Sequence, residues 1–372
     1  MKLKLSKTIC ILGLCTLFVI SGCSKKSTAT NKEENSSETD AIYEGEYAAL
    51  LPFEPSDAAQ KHATSSTNLN NTFTIGNGLM ELSKQHFSPN NHTFREGKYL
   101  DYNALDATDG STGLLGRTSK DNPHGMNPEI DAKFPVESGG EISIRAQDVL
   151  LLDIFELDWY KAKEINGISF ALVLNDKIGS DTQQKKIQNE KLKIYGEECA
   201  RKLVSYLRKT NAEIQNIPIY VALYNATSSD ETLPGSFFED AYFKTGTDGK
   251  FSSITDKWVL FPTSEATEID GTNATYFDRY KASFKDFLTQ DVSMIGKGHY
   301  EKNELTLLQI NVTLHARSSA EVRAAVQLLN EKLSIFASTS FRITVIINAD
   351  NQQAALIERP KGTSKTNAIE SI

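Results

Sequence analysis

The run NGISFALVLN, residues 166–175, decides the fold together with a second run, IPIYVALY, at residues 217–224. Their apolar parts, residues 168–174 and 218–223, are short and uninterrupted, which is typical of buried strands. The intervening residues 181–210 carry the apolar period of a long amphipathic helix. Because a connection of this length suits parallel neighbours, we predict one strand–helix–strand unit with a parallel strand pair.

The same order of elements recurs near the end of the chain. The pattern predicts a helix, a strand, a second helix and a second strand, at residues 277–288, 305–314, 318–335 and 341–347. Ser318 and Glu321 make a capping box, since each side chain can satisfy a free amide of the first helical turn. No residue-level repeat links the two units, so duplication is only a suggestion. We predict an α+β fold, a mixed sheet with packed helices, in two α+β subdomains at residues 41–140 and 141–358.

The first 23 residues have the layout of an export signal that ends on a cysteine. Three lysines within the first seven residues give a cationic start, and residues 8–20 form an apolar core. Ile20, Ser21 and Gly22 then precede Cys23, an order that resembles the lipobox recognised by bacterial lipoprotein signal peptidase. The resemblance implies cleavage after Gly22 and a thioether-linked diacylglycerol on Cys23, with N-acylation as an optional further modification.

The leader, residues 1–22, is too short for the alternative of a transmembrane anchor. Its apolar core has 13 positions, whereas a spanning helix needs about 20. Two acyl chains hold a protein on a membrane stably, so we expect a cell-membrane protein, lipid-anchored on the extracytoplasmic face through Cys23. Residues 24–40 contain no aromatic or large aliphatic side chain, so we predict that residues 23–40 form a lipidated, disordered linker. Residues 359–372 have the composition of a flexible tail.

The chain is acidic. Its formal net charge is −8, and loss of the leader removes three lysines and no acidic residue, which leaves −11. Nucleic-acid binding rests on a basic patch that neutralises phosphates, so we expect no nucleic-acid partner. An acidic surface also gives no attraction to anionic lipid, so the acyl chains must provide the membrane contact.

Cysteine usage excludes a disulfide framework. Cys10 and Cys15 leave with the leader and Cys23 is lipidated, so Cys199 alone remains. Cys199 lies on one apolar stripe of the predicted helix. That position favours core packing over reactivity, because no base or electropositive setting is evident.

The sequence contains no constellation that requires catalysis, a metal or a cofactor. The six histidines, at positions 62, 86, 92, 124, 299 and 315, lack metal-ligand spacing, and the chain has no nucleophile elbow or phosphate-binding glycine motif. LDATDGSTG at residues 105–113 hints at calcium, but a surface turn explains it better. Two interpretations stay open for Asp153, Glu156 and Asp158: a carboxylate pair for acid–base work and an exposed polar edge.

Three stretches together resemble one known family: EGEYAALLPFEPSDA, GLMELSKQHFSPNNHTFREGKYLD and NGISFALVLN, at residues 44–58, 78–101 and 166–175. GEECARKLVSYLRK and IPIYVALY, at residues 196–209 and 217–224, fit the same pattern. They resemble the staphylococcal sex-pheromone precursor (CamS-type) lipoprotein family of low-GC Gram-positive bacteria, over nearly the whole mature chain. The resemblance implies a lipoprotein without established chemistry, whose excised signal peptide carries the named activity.

That family implies that proteolysis of the signal peptide releases a hydrophobic heptamer or octamer, which ends just before the lipidated cysteine. The matching residues are Thr16, Leu17, Phe18, Val19, Ile20, Ser21 and Gly22, or the octamer that begins at Cys15. The partner of TLFVISG would be a plasmid-encoded receptor in responding cells, in which the peptide induces conjugation. The alternative is an inactive fragment of the kind that any lipoprotein signal leaves, because every signal core is apolar.

Two other functions stay open for the mature domain, to which the resemblance gives a non-catalytic role with an unknown ligand. A substrate-binding lipoprotein of an uptake system would hold its ligand in a cleft between two similar lobes. An enzyme acting on cell-wall polymer would need carboxylates at a suitable separation in a groove, or a metal site. We rank the family interpretation above both.

Overall fold

The computed structural model describes residues 38–42, 44–60, 69–105, 113–180, 183–285, 292–315 and 318–371. The helices there are α1 (Leu69–Ser83), α2 (Tyr102–Leu105), α3 (Asn189–Thr210), α4 (Ser264–Lys285) and α5 (Ser319–Lys332). The strands are β1 (Ala48–Ala49), β2 (Thr93–Glu96), β3 (Lys133–Pro135), β4 (Glu141–Ser143), β5 (Leu151–Lys161), β6 (Glu164–Leu174), β7 (Lys177–Ile178), β8 (Lys185–Lys186), β9 (Ile219–Asn225), β10 (Ser236–Phe243), β11 (Lys250–Ser253), β12 (Asp256–Phe261), β13 (Val292–Glu301), β14 (Glu304–Leu314), β15 (Arg342–Ala349), β16 (Gln352–Arg359) and β17 (Asn367–Glu370). Ser37–Ile372 form one compact unit.

Of the strands in these described ranges, seven form the first sheet, in the order β1-β2-β5-β6-β9-β10-β11. β5 and β6 form an antiparallel hairpin, and β10 returns antiparallel along β9. β6 and β9 are parallel, with Ile168 opposite Ile219, and α3 is the crossover between them. The predicted strand–helix–strand unit is therefore the centre of this sheet.

The second sheet contains six described strands in the order β12-β13-β14-β15-β16-β17 and repeats the plan of the first. β13 and β14 form a hairpin, α5 crosses over to β15, which is parallel to β14, and β16 returns antiparallel. Both hairpins turn on two residues with positive φ, Ala162 and Lys163 in one and Lys302 and Asn303 in the other. This is the backbone that a type I′ turn requires. The recurrence of elements that the sequence suggests is present as a shared topology.

The hydrophobic cores show which sheet faces the helices cover. On one face of the first sheet, Leu79 of α1 and the fully buried Trp159 share a core. On the opposite face, Leu203 of α3 lies in a larger core. In the second sheet, α4 and α5 share one core, where the Tyr280 hydroxyl donates to the Leu329 carbonyl at 3.0 Å. Each large apolar side chain buried in this way stabilises the fold by about 1.5–3 kcal/mol.

The α+β class is confirmed, and so is the capping box: the Glu321 amide donates to Ser318 Oγ and the Ser318 amide to the Glu321 carboxylate. The helix predicted from residue 181 was wrong at its start, because β8 and the extended residue Gln188 precede Asn189. The predicted boundary after residue 140 lies within the β3–β4 hairpin, and β2 pairs with β5 across it. The chain passes from the first sheet to the second between β11 and β12.

Candidate functional site

The residues that the sequence assigns to lipid attachment and to the released peptide lie outside the described ranges. They are Cys23 and residues 16–22, and His62 and most of the calcium-like turn also lie outside. Within the described ranges, no helix has the length and apolar composition that crossing a membrane requires. No group of three or more His, Cys, Asp or Glu side chains in the same residues is placed to hold a metal ion. The described residues do form a cavity with a mainly apolar lining.

A cavity of about 400 Å³ lies between α1 and the first sheet, where β2 ends beside β5. We call it the α1 cavity and define it by its lining residues: Phe53, Ser56, Ala58, Ala59, Thr72, Phe73, Gly76, Asn77, Leu79, Met80, Phe94, Glu96, Leu100, Leu105, Ile154, Phe155, Glu156 and Leu157. Most of these side chains are apolar. Ligand pockets are typically apolar clefts of about 300–1,000 Å³ with a few polar groups, so the size and lining of the α1 cavity suit a small ligand.

Two glycines of α1 differ in what surrounds them. A Cβ at Gly78 would come within 2.5 Å of Phe237 Cε2, so close packing requires glycine there. A Cβ at Gly76 would meet no atom within 4 Å, although glycine inside a helix costs about 1 kcal/mol relative to alanine. Gly76 lines the α1 cavity, so a side chain at this position would extend into the open space.

Glu156 and Asp158 form a carboxyl pair beside the α1 cavity. They project from the same face of β5, and they lie close enough for the charge of Glu156 to raise the pKa of Asp158. The amides of Tyr99 and Leu100 donate to Glu156 Oε1 and Oε2 at 3.0 and 2.9 Å, which fixes the loop that follows β2. Asp158 is fully buried and Glu156 is half-buried, so the interpretation as an exposed polar edge was wrong for Asp158. Asp153 takes no part in the pair, because side chains alternate along the strand.

Burial favours the neutral, protonated form of these two carboxyl groups. It raises the pKa of Glu156 to about 7, and burial together with the charge of Glu156 raises the pKa of Asp158 well above its usual value. Two adjacent carboxyl groups away from water hold one proton between them more readily than two negative charges. Gly97 makes the close approach of the loop possible, because a Cβ there would come within 2.2 Å of Glu156 Cδ.

We expect the Glu156–Asp158 pair to make the folded protein less stable as the pH rises. The pKa of Glu156 is about 7 in the fold against 4.5 for the free group, so the native state binds more protons between these values. The stabilisation is complete below about pH 4.5 and is lost as the pH rises through 7, by on the order of 2 kcal/mol. Urea unfolding at pH 5 and pH 7.5 measures this decrease in the free energy of unfolding.

Glu156→Gln removes the titrating group, so its unfolding free energy should change less between the two pH values. Glu141→Gln, at an exposed position, should keep the wild-type fall. The other charged or titratable side chains that face the pair are present in both variants: Arg95, Lys98, Tyr99 and Tyr160. An undiminished fall in Glu156→Gln contradicts the assignment of the raised pKa to this pair.

The single described cysteine behaves as the sequence predicts. Cys199 belongs to α3 and faces the core, where burial raises the pKa of its thiol to about 12. Its Sγ approaches the Met126 carbonyl at 3.9 Å, and the Tyr195 hydroxyl donates to the same oxygen at 3.0 Å. A thiol that is protonated and enclosed is a packing group, not a nucleophile.

A contact that the sequence does not predict joins the two sheets. His299 Nε2 lies 2.5 Å from Asp256 Oδ1, and the imidazole stacks on Trp258 at 4.4 Å between ring centroids. Asp256 Oδ2 accepts the Phe237 amide of β10 at 2.8 Å, so one carboxylate holds β10, β12 and β13 together. Thr306 Oγ1 donates to the His299 carbonyl at 3.1 Å. Because these contacts fasten strands to one another, we assign the cluster a structural role. The residues are too far apart in sequence to form a local motif.

Comparison with known proteins points to one family. The family model described as CamS sex pheromone cAM373 precursor matches residues 53–365. The sex pheromone precursor of Lactobacillus salivarius subsp. salivarius UCC118 superposes with a TM-score of 0.76 at 22% identity, over 90% of this chain and 98% of that chain. The C-terminal domain of the sex pheromone staph-cAM373 precursor from Staphylococcus aureus gives 0.64 at 22% identity, over 82% of this chain and 98% of that chain. These likenesses show the fold. No curated protein matches the sequence.

Proposed function

Because the chain belongs to the CamS sex pheromone cAM373 precursor family, we propose that it is a lipoprotein whose leader yields a hydrophobic signalling peptide. In this proposal Cys23 carries diacylglycerol and anchors the protein to the extracytoplasmic face of the cell membrane. The observation that carries it is the order Ile20, Ser21, Gly22, Cys23 at the end of a cationic and apolar leader.

The leader has the composition that a diffusible peptide needs. After cleavage before Cys23, the segment TLFVISG, residues 16–22, contains four large apolar side chains and no charged one. A peptide of this length is too short to span a bilayer, so it can leave the membrane. Its apolar side chains suit an enclosed receptor pocket, and the receptor would be encoded by a conjugative plasmid in responding cells.

Peptide release and response test this part of the proposal together. We expect mass spectrometry of culture medium to detect TLFVISG or CTLFVISG, and synthetic TLFVISG at nanomolar to micromolar concentration to induce aggregation or conjugation in plasmid-bearing cells. A peptide with Leu17 and Phe18 exchanged is the matched control, since its composition and hydropathy are identical. Absence of both peptides from the medium, or no response across a panel of plasmids, sinks the pheromone role.

For the folded domain we propose a binding role without catalysis, which the α1 cavity supports. The uptake-system alternative expects its ligand between two similar lobes, but the lining of the α1 cavity comes from residues 53–157, which contribute no strand to the second six-stranded sheet. The wall-enzyme alternative needs carboxylates free to meet a polymer. Glu156 is engaged by two backbone amides and Asp158 is fully buried, so this pair gives that alternative little support.

A further inference from the structure

The α1 cavity combines an apolar interior with exposed aromatic side chains. Leu79, Leu100 and Leu105 are buried in its walls, whereas Phe53 and Phe73 are 43% and 69% exposed. Large exposed apolar side chains are informative when they adjoin a concave apolar surface, because they mark places where a ligand excludes water. The two phenylalanines therefore extend the apolar surface from the cavity to its mouth.

The charged side chains that line the cavity are acidic. Glu96 and Glu156 are carboxylates, and no Lys, Arg or His occurs among its described lining residues. Glu156 already accepts two backbone amides. Glu96 Oε2 accepts the Ser56 amide at 2.7 Å, and a carboxylate has room for further donors. A complementary ligand is apolar and carries a hydrogen-bond donor or a positive charge, and an anion is disfavoured.

The helix keeps this space open at a cost to its own stability. Gly76 lies within α1, where alanine would be about 1 kcal/mol more favourable and would meet no atom. Packing explains Gly78 but not Gly76. Glycine at position 76 is what a site needs when the ligand takes the place of a side chain.

We propose that the α1 cavity binds the amino-terminal end of a short apolar peptide, with the ammonium group on Glu96 and the first apolar side chains in the cavity and on Phe73. A peptide end places a positive charge beside an apolar side chain within one or two residues, which matches a carboxylate set in an apolar wall. The volume of about 400 Å³ lies near the lower end of ligand pockets, so it accepts the end of a peptide and not a lipid with two acyl chains.

Calorimetric titration of residues 24–372, which lack the leader and the lipidated Cys23, with synthetic TLFVISG tests this proposal. The crystallised relative from Lactobacillus salivarius aligns over 98% of its length with 90% of this chain, which indicates that the domain folds without the leader. We expect N-acetylation of the peptide to weaken binding at least about tenfold, because the charge-assisted hydrogen bond is lost. Glu96→Gln should weaken binding of the free peptide by the same factor and leave binding of the acetylated peptide unchanged. An amide oxygen at this position still accepts the Ser56 amide, so the fold should be kept.

Two further variants distinguish binding in the α1 cavity from binding elsewhere on the protein surface. Gly76→Phe fills the α1 cavity and should abolish binding, and thermal unfolding checks that this variant is folded. Glu164→Gln, at an exposed position, should bind as the wild type does. The proposal is overturned if the acetylated peptide binds as tightly as the free peptide, if Glu96→Gln binds the free peptide as tightly as the wild type does, or if TLFVISG does not bind. If hexylamine binds as tightly as TLFVISG, the assignment of a peptide as the ligand is overturned. The probe is synthetic, so a negative result leaves the release of the peptide in cells untouched.

Discussion

Cys23→Ala is expected to remove the protein from the membrane fraction and to abolish incorporation of labelled palmitate. The variant lacks the thiol that accepts diacylglycerol, and lipoprotein signal peptidase would not cleave it. Its apolar core of 13 residues falls short of the roughly 20 that a spanning helix needs, so the uncut leader cannot replace the lipid anchor. Fractionation followed by immunoblotting measures the change.

Cys199→Ala is the matched control for this experiment. Cys199 is buried on the core side of α3, so its replacement removes a thiol without touching the lipidation site. The control should stay in the membrane fraction and take up palmitate. Retention of Cys23→Ala on membranes with its leader uncut would show that the leader itself is the anchor and that lipid on Cys23 is not required.

Arg208→Met is expected to lower the free energy of unfolding by about 3–5 kcal/mol. Arg208 is 8% exposed, and its guanidinium donates to the carbonyl oxygens of five residues at 2.5–3.2 Å: Ile214, Gln215, Ile217, Phe243 and Gly246. These carbonyls belong to the segment between α3 and β9, to the last residue of β10 and to the loop that follows β10. Methionine fills much of the volume but leaves the carbonyls without a donor.

Urea unfolding compares this variant with Lys209→Met, which changes the next residue of the same helix. Lys209 is exposed, so its variant should stay within about 0.5 kcal/mol of the wild type. If the free energy of unfolding of Arg208→Met also stayed within that interval, water would be replacing the hydrogen bonds of the guanidinium without loss of stability.

The fold could be predicted from the sequence where the apolar pattern is unbroken. β6, β9 and α5 follow from their periods, and the Ser318 capping box fixes the start of α5. β13 was not predicted, because Gly296 and Gly298 interrupt it. A Cβ at Gly296 would come within 2.7 Å of Phe277 Cε2, so tertiary packing, which a sequence pattern does not contain, imposes the glycine.

The α1 cavity could not be predicted, because four separate segments of the chain line it. One local signal was available: Gly76 lies inside a helix, and packing explains the neighbouring Gly78 but not Gly76. For the carboxylates of β5, the sequence left pairing and exposure open. Asp158 is buried because β2 and the loop around Tyr99 cover β5, and that coverage is a long-range feature.

Mass spectrometry of the amino-terminal peptide of the membrane-extracted protein tests the central claim most directly. We predict a peptide that begins at Cys23 and carries the mass of diacylglycerol on its sulfur. A mature protein that begins at another residue, or an intact leader with an unmodified Cys23 thiol, would contradict the assignment of this chain as a lipoprotein and pheromone precursor.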